Sequence, residues 1–299
     1  MATRIGIIVV NWNCANLTYE AIKPYINYKS NKIICEIVVI DNASVDESIT
    51  ILKPLDITLI ENKFNMGFGH ACNQALKKLN VDYVLLLNPD TGSETATLET
   101  LADFLENNPA YAVTGPQQQH ENGKIIRCCG RFPSFKTSVS ELLGLSKILP
   151  SIFTPAPQMT DFDHIESRDV DHIMGSYMLI RKSAIDSTGF MNEEYFVYGE
   201  DLDLSKRISI KGLKSYYNNS CFIIHLTGAS GDKASTKRLY YSLDARRIYW
   251  KTYFSKTAVT ILTFLSLTIE PLLRICNSPL KTGSILKAYF FYLTGKGKG

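Results

Sequence analysis

Val84-Leu85-Leu86-Leu87 runs directly into Asn88-Pro89-Asp90. Consecutive aliphatic side chains without polar alternation describe a strand buried on both faces, and Pro89 ends it because proline has no N–H to give to a ladder. Asp90 is thereby carried to a strand's carboxyl end. Ligands of open α/β sheets bind at that edge, so a carboxylate there is a candidate for holding a metal or a sugar nucleotide. Asn-Pro-Asp is also ordinary turn chemistry, which leaves a solvated turn as the competing reading.

Outward from this strand, the first half of the chain alternates strand and helix patterns. Strands are expected at 5–10, 36–41, 56–61, 82–87 and 110–115, with helices at about 15–29, 45–53, 68–79 and 95–107 between them. Short connections in such an alternation imply parallel pairing through right-handed crossovers, hence an α/β layered domain of Rossmann-like kind. Between about 133 and 170 the periodicity dissolves around Pro133, Pro150, Pro155 and Pro157, which predicts a long surface excursion.

Composition narrows the classes of function. The 299 residues, 45% hydrophobic and 20% charged, suffice for one large globular domain with an appendage, or for two domains. A formal net charge of +3 gives no argument for nucleic acid as a partner. Seven scattered cysteines, with Cys128-Cys129 adjacent and no CxxC pair, suggest neither a disulfide framework nor a zinc site, and a reducing compartment is expected. Ile5-Gly6-Ile7-Ile8-Val9-Val10, closed by polar Asn11-Trp12-Asn13, has the form of a first core strand rather than a signal peptide. After that strand no closely spaced glycines occur, as a dinucleotide-binding fold needs, and no Walker-type lysine loop is present. Gly67-Phe68-Gly69 at a helix start is a weak glycine signal, equally a simple turn.

Carboxylates at strand ends remain the better anchors for a nucleotide. Asp41 closes Ile37-Val38-Val39-Ile40 on the same expected edge as Asp90, where it can accept from a pyrimidine N3–H or a ribose hydroxyl, or else cap the next helix. In the second half, the aromatic stretch Tyr195-Phe196-Val197-Tyr198 leads through Gly199 into Glu200-Asp201-Leu202-Asp203 at the start of a helix expected over 201–210. A helix N-terminus favours charged carboxylates, while apolar and aromatic flanks bury some of them and raise a pKa. A general base beside a carbohydrate-stacking platform is the functional reading. His225, after Phe222-Ile223-Ile224, can complete a divalent metal site or be structural.

Taken together, the ordered motifs resemble one family: inverting family-2 glycosyltransferases of the GT-A fold, and within it the bacterial rhamnosyltransferases of O-antigen and related polysaccharide assembly. They are VVNWN at 9–13, VVIDNAS at 38–44, NxGFGxxxNxA from Asn65 to Ala75, LLLNPD at 85–90, GSYMLIR at 175–181, YGEDLDL at 198–204 and HLTGAS at 225–230. The resemblance spans roughly residues 4–255, a catalytic domain of 1–255, with C-terminal amphipathic helices over 256–299. It implies Asp201 as catalytic base and Asp90 and His225 as ligands of Mg²⁺ or Mn²⁺. It further implies Asn11, Asp41, Asn42, Asn65, Gly67 and Asn88 around the donor nucleotide, and Gly175, Tyr198 and Glu200 around the acceptor. Arg246, from the basic stretch that follows, is the candidate for the diphosphate. Asn88 departs from the pattern by replacing the first aspartate of the DxD metal motif, so coordination rests on Asp90, His225, diphosphate oxygens and water. The Gln-x-x-Arg-Trp signature of processive synthases is missing, and addition of one or a few sugars is expected. The implied substrates are a nucleotide-sugar donor, with dTDP-rhamnose the first choice and UDP-sugars the alternative, and a lipid-diphosphate-linked saccharide acceptor. A non-catalytic sugar-nucleotide scaffold is the rival from another class.

The C-terminal stretch from Arg238 to Lys256 is basic and aromatic, and Ala258–Ile269 is nearly all apolar before Glu270-Pro271. That break after about a dozen residues falls short of the ~20 a spanning helix needs. Ala288-Tyr289-Phe290-Phe291-Tyr292-Leu293 follows, ahead of Lys296 and Lys298. Apolar segments flanked by aromatics and lysines fit a peripheral anchor on the inner face of a bacterial cytoplasmic membrane, or a helical hairpin packed on the domain.

Overall fold

The computed structural model describes residues 2–149, 152–154, 156, 158–226 and 235–295. Pro150, Pro155, Pro157, the Thr227–Ser230 end of the HLTGAS run, Lys296 and Lys298 lie outside the described residues.

The amino-terminal half places β1 (Thr3–Asn11), α1 (Ala15–Ile22), β2 (Ile33–Asp41), α2 (Ser48–Leu52), β3 (Thr58–Glu61), α3 (Phe68–Leu76), β4 (Tyr83–Leu87), β5 (Thr91–Gly92), α4 (Thr95–Asn107) and β6 (Tyr111–Gln119). The alternation expected from the sequence is therefore present. α1 stops earlier than residue 29 because Pro24, in a following 3₁₀ turn, cannot donate to a continuing helix. The chain goes on through β7 (Ile125–Ile126), β8 (Cys129–Gly130), α5 (Phe135–Leu142), α6 (Leu145–Ile148), β9 (Arg168–Val170), β10 (His172–Ile173), β11 (Tyr177–Arg181), α7 (Lys182–Thr188), α8 (Glu200–Ile210) and β12 (Lys214–His225). Three helices follow: α9 (Ser235–Tyr253), α10 (Lys256–Asn277) and α11 (Thr282–Thr294).

The main sheet runs β3-β2-β1-β4-β11-β6-β12-β5. β4 lies at its centre, parallel to β1 and antiparallel to β11, with Val84–Leu87 fully buried. Val84 and Leu86 face a core layer shared with α3, α7 and α8, while Leu85 and Leu87 face the layer of α1 and α4. At ~1.5–3 kcal/mol per aliphatic side chain this double burial is what holds the strand end in place. The all-parallel expectation is corrected here: β11 inserts antiparallel between β4 and β6. Its apolar Met178-Leu179-Ile180 suits a central position, and Arg181 locks it by donating to the Tyr83 hydroxyl and the Leu105 carbonyl.

Residues 133–170 contain more structure than the sequence pattern predicts. Ser134 and Thr137 form a capping box at the start of α5, whose buried face includes Ser138 and Ser140 and so gives no hydrophobic periodicity. Leu142 packs with Leu202, Tyr249, Trp250 and Leu262, tying this excursion to α8, α9 and α10.

α10 also departs from expectation. It continues through Pro271 for 22 residues, about 33 Å at 1.5 Å per residue, and by length and composition it can cross a membrane. Glu270 does not end it because the carboxylate is buried and paired with both Arg246 and Arg274. Only 17% of its most apolar window is buried.

Candidate active site

Three strand ends deliver the site. β1 and β2 are parallel and in register to their last pair, Asn11 beside Asp41, and β4 delivers Asn88 just beyond Leu87. Asn11 is completely buried. Its Nδ2 donates to Asp41 Oδ1 at 2.7 Å and Ser48 Oγ at 2.8 Å, and its Oδ1 accepts from Thr18 Oγ1 at 2.6 Å. Direct contact between Asn11 and a nucleotide is thus corrected to a framing role, since its polar atoms are committed within the protein. Asp41 accepts from Asn11 and, through Oδ2, from Ser44 N–H at 2.9 Å, which fixes its carboxylate at the end of β2. Asn42 Nδ2 donates to Asn65 Oδ1 at 2.9 Å, while Asn42 Oδ1 accepts from Asn62 and from Met66 N–H. Asn65 Oδ1 also accepts from Gly67 N–H at 3.0 Å. Gly67 adopts φ +86°, and a Cβ there would come within 2.6 Å of the Phe196 carbonyl oxygen. Asp41, Asn42, Asn65 and Gly67 form one hydrogen-bonded wall, and Trp12 nearby in sequence is about half exposed.

The turn after β4 is pinned on every side. Asn88 N–H donates to the Ser176 carbonyl at 2.9 Å, Thr91 Oγ1 to the Asn88 carbonyl at 2.6 Å, and Leu226 N–H to the Asp90 carbonyl at 2.8 Å. Thr91 pairs with His225 across β5 and β12. Asp90 Oδ1 consequently faces His225 Nε2 at 3.3 Å, with the imidazole almost buried and the carboxylate about a quarter exposed.

Asp201 lies on the first turn of α8, behind a sharp bend in which Tyr198 and Gly199 both have positive φ, +70° and +87°. Its Oδ2 accepts from Gly175 N–H and its Oδ1 from Leu202 N–H, each at 2.8 Å. A Cβ at Gly175 would sit 3.3 Å from that carboxylate, so glycine leaves the room Asp201 occupies. The aspartate side chain keeps about a fifth of its surface exposed, and His172 Nε2 approaches it from the protein side at 3.7 Å. Burial lowers the His172 pKa despite Asp201, and Nδ1 of this ring has no partner among the described residues.

The three acids of this turn have separated. Glu200 is buried, and burial followed by the charge of Asp201 pushes its pKa up to about 8, which corrects its assignment to acceptor contact. Asp203 is buried as a structural anion between Arg207 Nε and Tyr253 Oη, both at 2.7 Å. Tyr198, at the bend before α8, is 42% exposed. Arg246 is corrected too. Its guanidinium is committed to Glu270 and to Ser266 Oγ and lies over the Trp250 ring, inside the α9–α10 interface and unavailable to a diphosphate.

Gln118, Ser176 and His172 are site neighbours that the motifs do not single out. Ser176 lies inside GSYMLIR, and a glutamine run at a strand end, Gln117–Gln119, is the one trace Gln118 leaves in the sequence. A second cluster, Cys128, Cys129 and His164, brings its ligand atoms within 4.8 Å of one another. There His164 Nδ1 donates to the Phe162 carbonyl and Nε2 accepts from Cys129 N–H, so both ring nitrogens are already partnered in a packed core.

The model of glycosyl transferase family 2 matches residues 6–189, from within β1 through α7. The chain belongs to that family. A 202-residue match at 26% identity joins 62% of it to 64% of a Mycobacterium tuberculosis N-acetylglucosaminyl-diphospho-decaprenol L-rhamnosyltransferase. Rhamnosyltransferase WbbL of Escherichia coli K12 is 29% identical over 169 residues, 53% of this chain and 60% of that one. The chain thus spans just under two thirds of the length of these curated relatives. Among solved structures, the mannosyltransferase PcManGT of Pyrobaculum calidifontis, in complex with GDP-Man and Mn²⁺, superposes with a TM-score of 0.60 at 15% identity, covering 99% of this chain and 88% of that one. The fold is GT-A, as the sequence led one to expect, with the mixed sheet as its particular form.

Proposed function

We propose that the protein is an inverting glycosyltransferase that moves a hexose, L-rhamnose from dTDP-rhamnose in our reading, onto a lipid-diphosphate-linked saccharide at a membrane surface. The observation that carries this reading is the dipeptide Gly175-Ser176. One of its backbone groups holds Asp201 and another holds the Asn88 turn that presents Asp90, so base and anion-handling site share one rigid strand start.

Asp201 accepts the proton of the acceptor hydroxyl as that oxygen bonds to the anomeric carbon. The bond from that carbon to the donor's diphosphate oxygen breaks on the opposite face, and the electron pair leaves with the diphosphate. One displacement inverts the configuration. Asp90 and His225 fit a divalent cation: carboxylate oxygen and imidazole nitrogen are both acceptors, facing each other at 3.3 Å. Mg²⁺ or Mn²⁺ bound there would offset the charge developing on the diphosphate, a contribution of several kcal/mol in comparable sites. Asp41 and the Asn42–Asn65–Gly67 wall bound the nucleotide pocket, and Tyr198 borders the acceptor.

The relatives' names support rhamnose as the sugar moved and, in the mycobacterial case, a lipid-diphosphate acceptor. Membrane contact is supported by apolar stripes on α10 (Ile261, Phe264, Leu272) and α11 (Leu286, Phe290, Leu293), exposed beside Lys256, Lys281 and Lys287. We place the reaction on the inner face of the bacterial cytoplasmic membrane. The test is turnover by the purified chain with dTDP-, UDP- and GDP-sugars and a lipid-diphosphate N-acetylglucosamine acceptor, with and without EDTA, and with product configuration read by NMR. Chelator-sensitive, inverted transfer from dTDP-rhamnose is expected. Transfer from a UDP-sugar instead would overturn the donor, and retained configuration would overturn the mechanism.

A further inference from the structure

Gln118 is completely buried next to the end of β6, where an amide with unpartnered groups would cost about 1–3 kcal/mol. Its Oε1 lies 2.8 Å from His225 Nδ1, and its Nε2 donates to Ser176 Oγ at 2.8 Å. An amide oxygen carries no proton, so the hydrogen of that first contact belongs to Nδ1. In the neutral ring the lone pair is then on Nε2, aimed at Asp90 Oδ1. The reverse amide orientation would present N–H to Nδ1, move the ring proton to Nε2, and remove the nitrogen as a ligand. Ser176 Oγ accepts from the amide Nε2 and lies 3.1 Å from Oε1, to which its hydroxyl can donate, so it anchors the amide in place, and the orientation with Oε1 toward Nδ1 is the one that leaves the ring Nε2 free for a cation. Its own carbonyl is fixed by Asn88 N–H.

We propose that Gln118 is a positioning residue for the cation site: it fixes the tautomer and orientation of His225, and Ser176 fixes Gln118 in turn. The inference deepens the proposed function and rests on its assignment of Asp90 and His225 to a divalent cation. Partners of this kind typically change metal affinity by about 10–100-fold when removed. Because Gln118 is neutral, it orients the ring without adding charge, which leaves Asp90 as the one anionic member of the ligand pair.

The measurement is Mn²⁺ binding to the intact protein in the presence of dTDP, read from the EPR signal of free Mn²⁺, with no turnover involved. Gln118→Leu is expected to raise the Mn²⁺ Kd about 10–100-fold, and its transfer activity should recover at saturating Mn²⁺. Gln118→Glu keeps an acceptor opposite Nδ1 and should bind Mn²⁺ close to wild type. Unchanged Mn²⁺ affinity in a Gln118→Leu protein of normal melting temperature overturns the proposal. Should that variant not fold, Ser176→Ala, which removes only a hydroxyl, must still weaken Mn²⁺ binding, and wild-type affinity there overturns it equally. His225→Ala separates the two levels. If it leaves Mn²⁺ affinity unchanged, the cation reading itself fails; if it weakens binding while Gln118→Leu does not, only the positioning role fails.

Discussion

Glu200 lies buried beside Asp201 with one carboxyl oxygen lacking a partner among the described residues, and burial pushes its pKa up to about 8. In the unfolded chain the same group ionises near 4.5. Between those values unfolding releases a proton, the native state binding more protons than the unfolded one, so this group makes stability fall as pH rises. Glu200→Gln removes the effect. Its melting temperature should exceed wild type by a margin that widens from about pH 5 to about pH 8 and then levels off; parallel curves across that range would contradict the assignment. The sequence shows three neighbouring acids and a helix start, and it correctly implies that part of the cluster is buried with a raised pKa. Which acid takes which task depends on partners distant in sequence: Gly175 for Asp201, Tyr253 for Asp203, and, among the described residues, none for one oxygen of Glu200. Gln118 is hidden for the same reason, since its partners Ser176 and His225 lie 58 and 107 residues away.

At the scale of elements, the buried strands were legible because their side chains are apolar on both faces, and β4 and its terminating Pro89 fall where the sequence puts them. The antiparallel insertion of β11 was not, because local periodicity carries no strand direction. α10 was misjudged at Glu270-Pro271, where the helix survives through an ion pair with Arg246 on α9. Burial raises the Glu270 pKa, but Arg246 and Arg274 overcome it and hold the carboxyl at about 2. The stability this provides is present above the unfolded value of 4.5 and is lost as pH falls toward about 2. Arg246→Met leaves Arg274 and the Ser266 hydroxyl as the partners of Glu270. A loss of about 3–5 kcal/mol in denaturant unfolding is expected for breaking a buried pair, with Mn²⁺ and nucleotide binding retained by the protein that remains folded. If Arg246→Met kept full stability but lost nucleotide binding, the diphosphate role would have to be restored.

Over the whole molecule, the Asn42–Asn65–Gly67 wall, the Asp90 turn and Asp201 are held at the ends of β2, β4 and β11, while α10 and α11 expose apolar side chains. A membrane-linked acceptor would join these two features. Phe264→Ser combined with Phe290→Ser should lower binding to anionic vesicles at least about tenfold, ~1.4 kcal/mol, in a flotation assay, without changing transfer to a short-chain soluble acceptor. Equal vesicle binding by the double variant would assign these stripes another partner.

Everything in the proposed reaction turns on Asp201 acting as the base. Single-turnover transfer by Asp201→Asn, measured beside Mn²⁺–nucleotide binding, tests it most directly: the rate should fall about 10²–10⁴-fold, as removal of a general base does, with binding unchanged. A rate near wild type, or a loss accounted for entirely by weaker nucleotide binding, would contradict it.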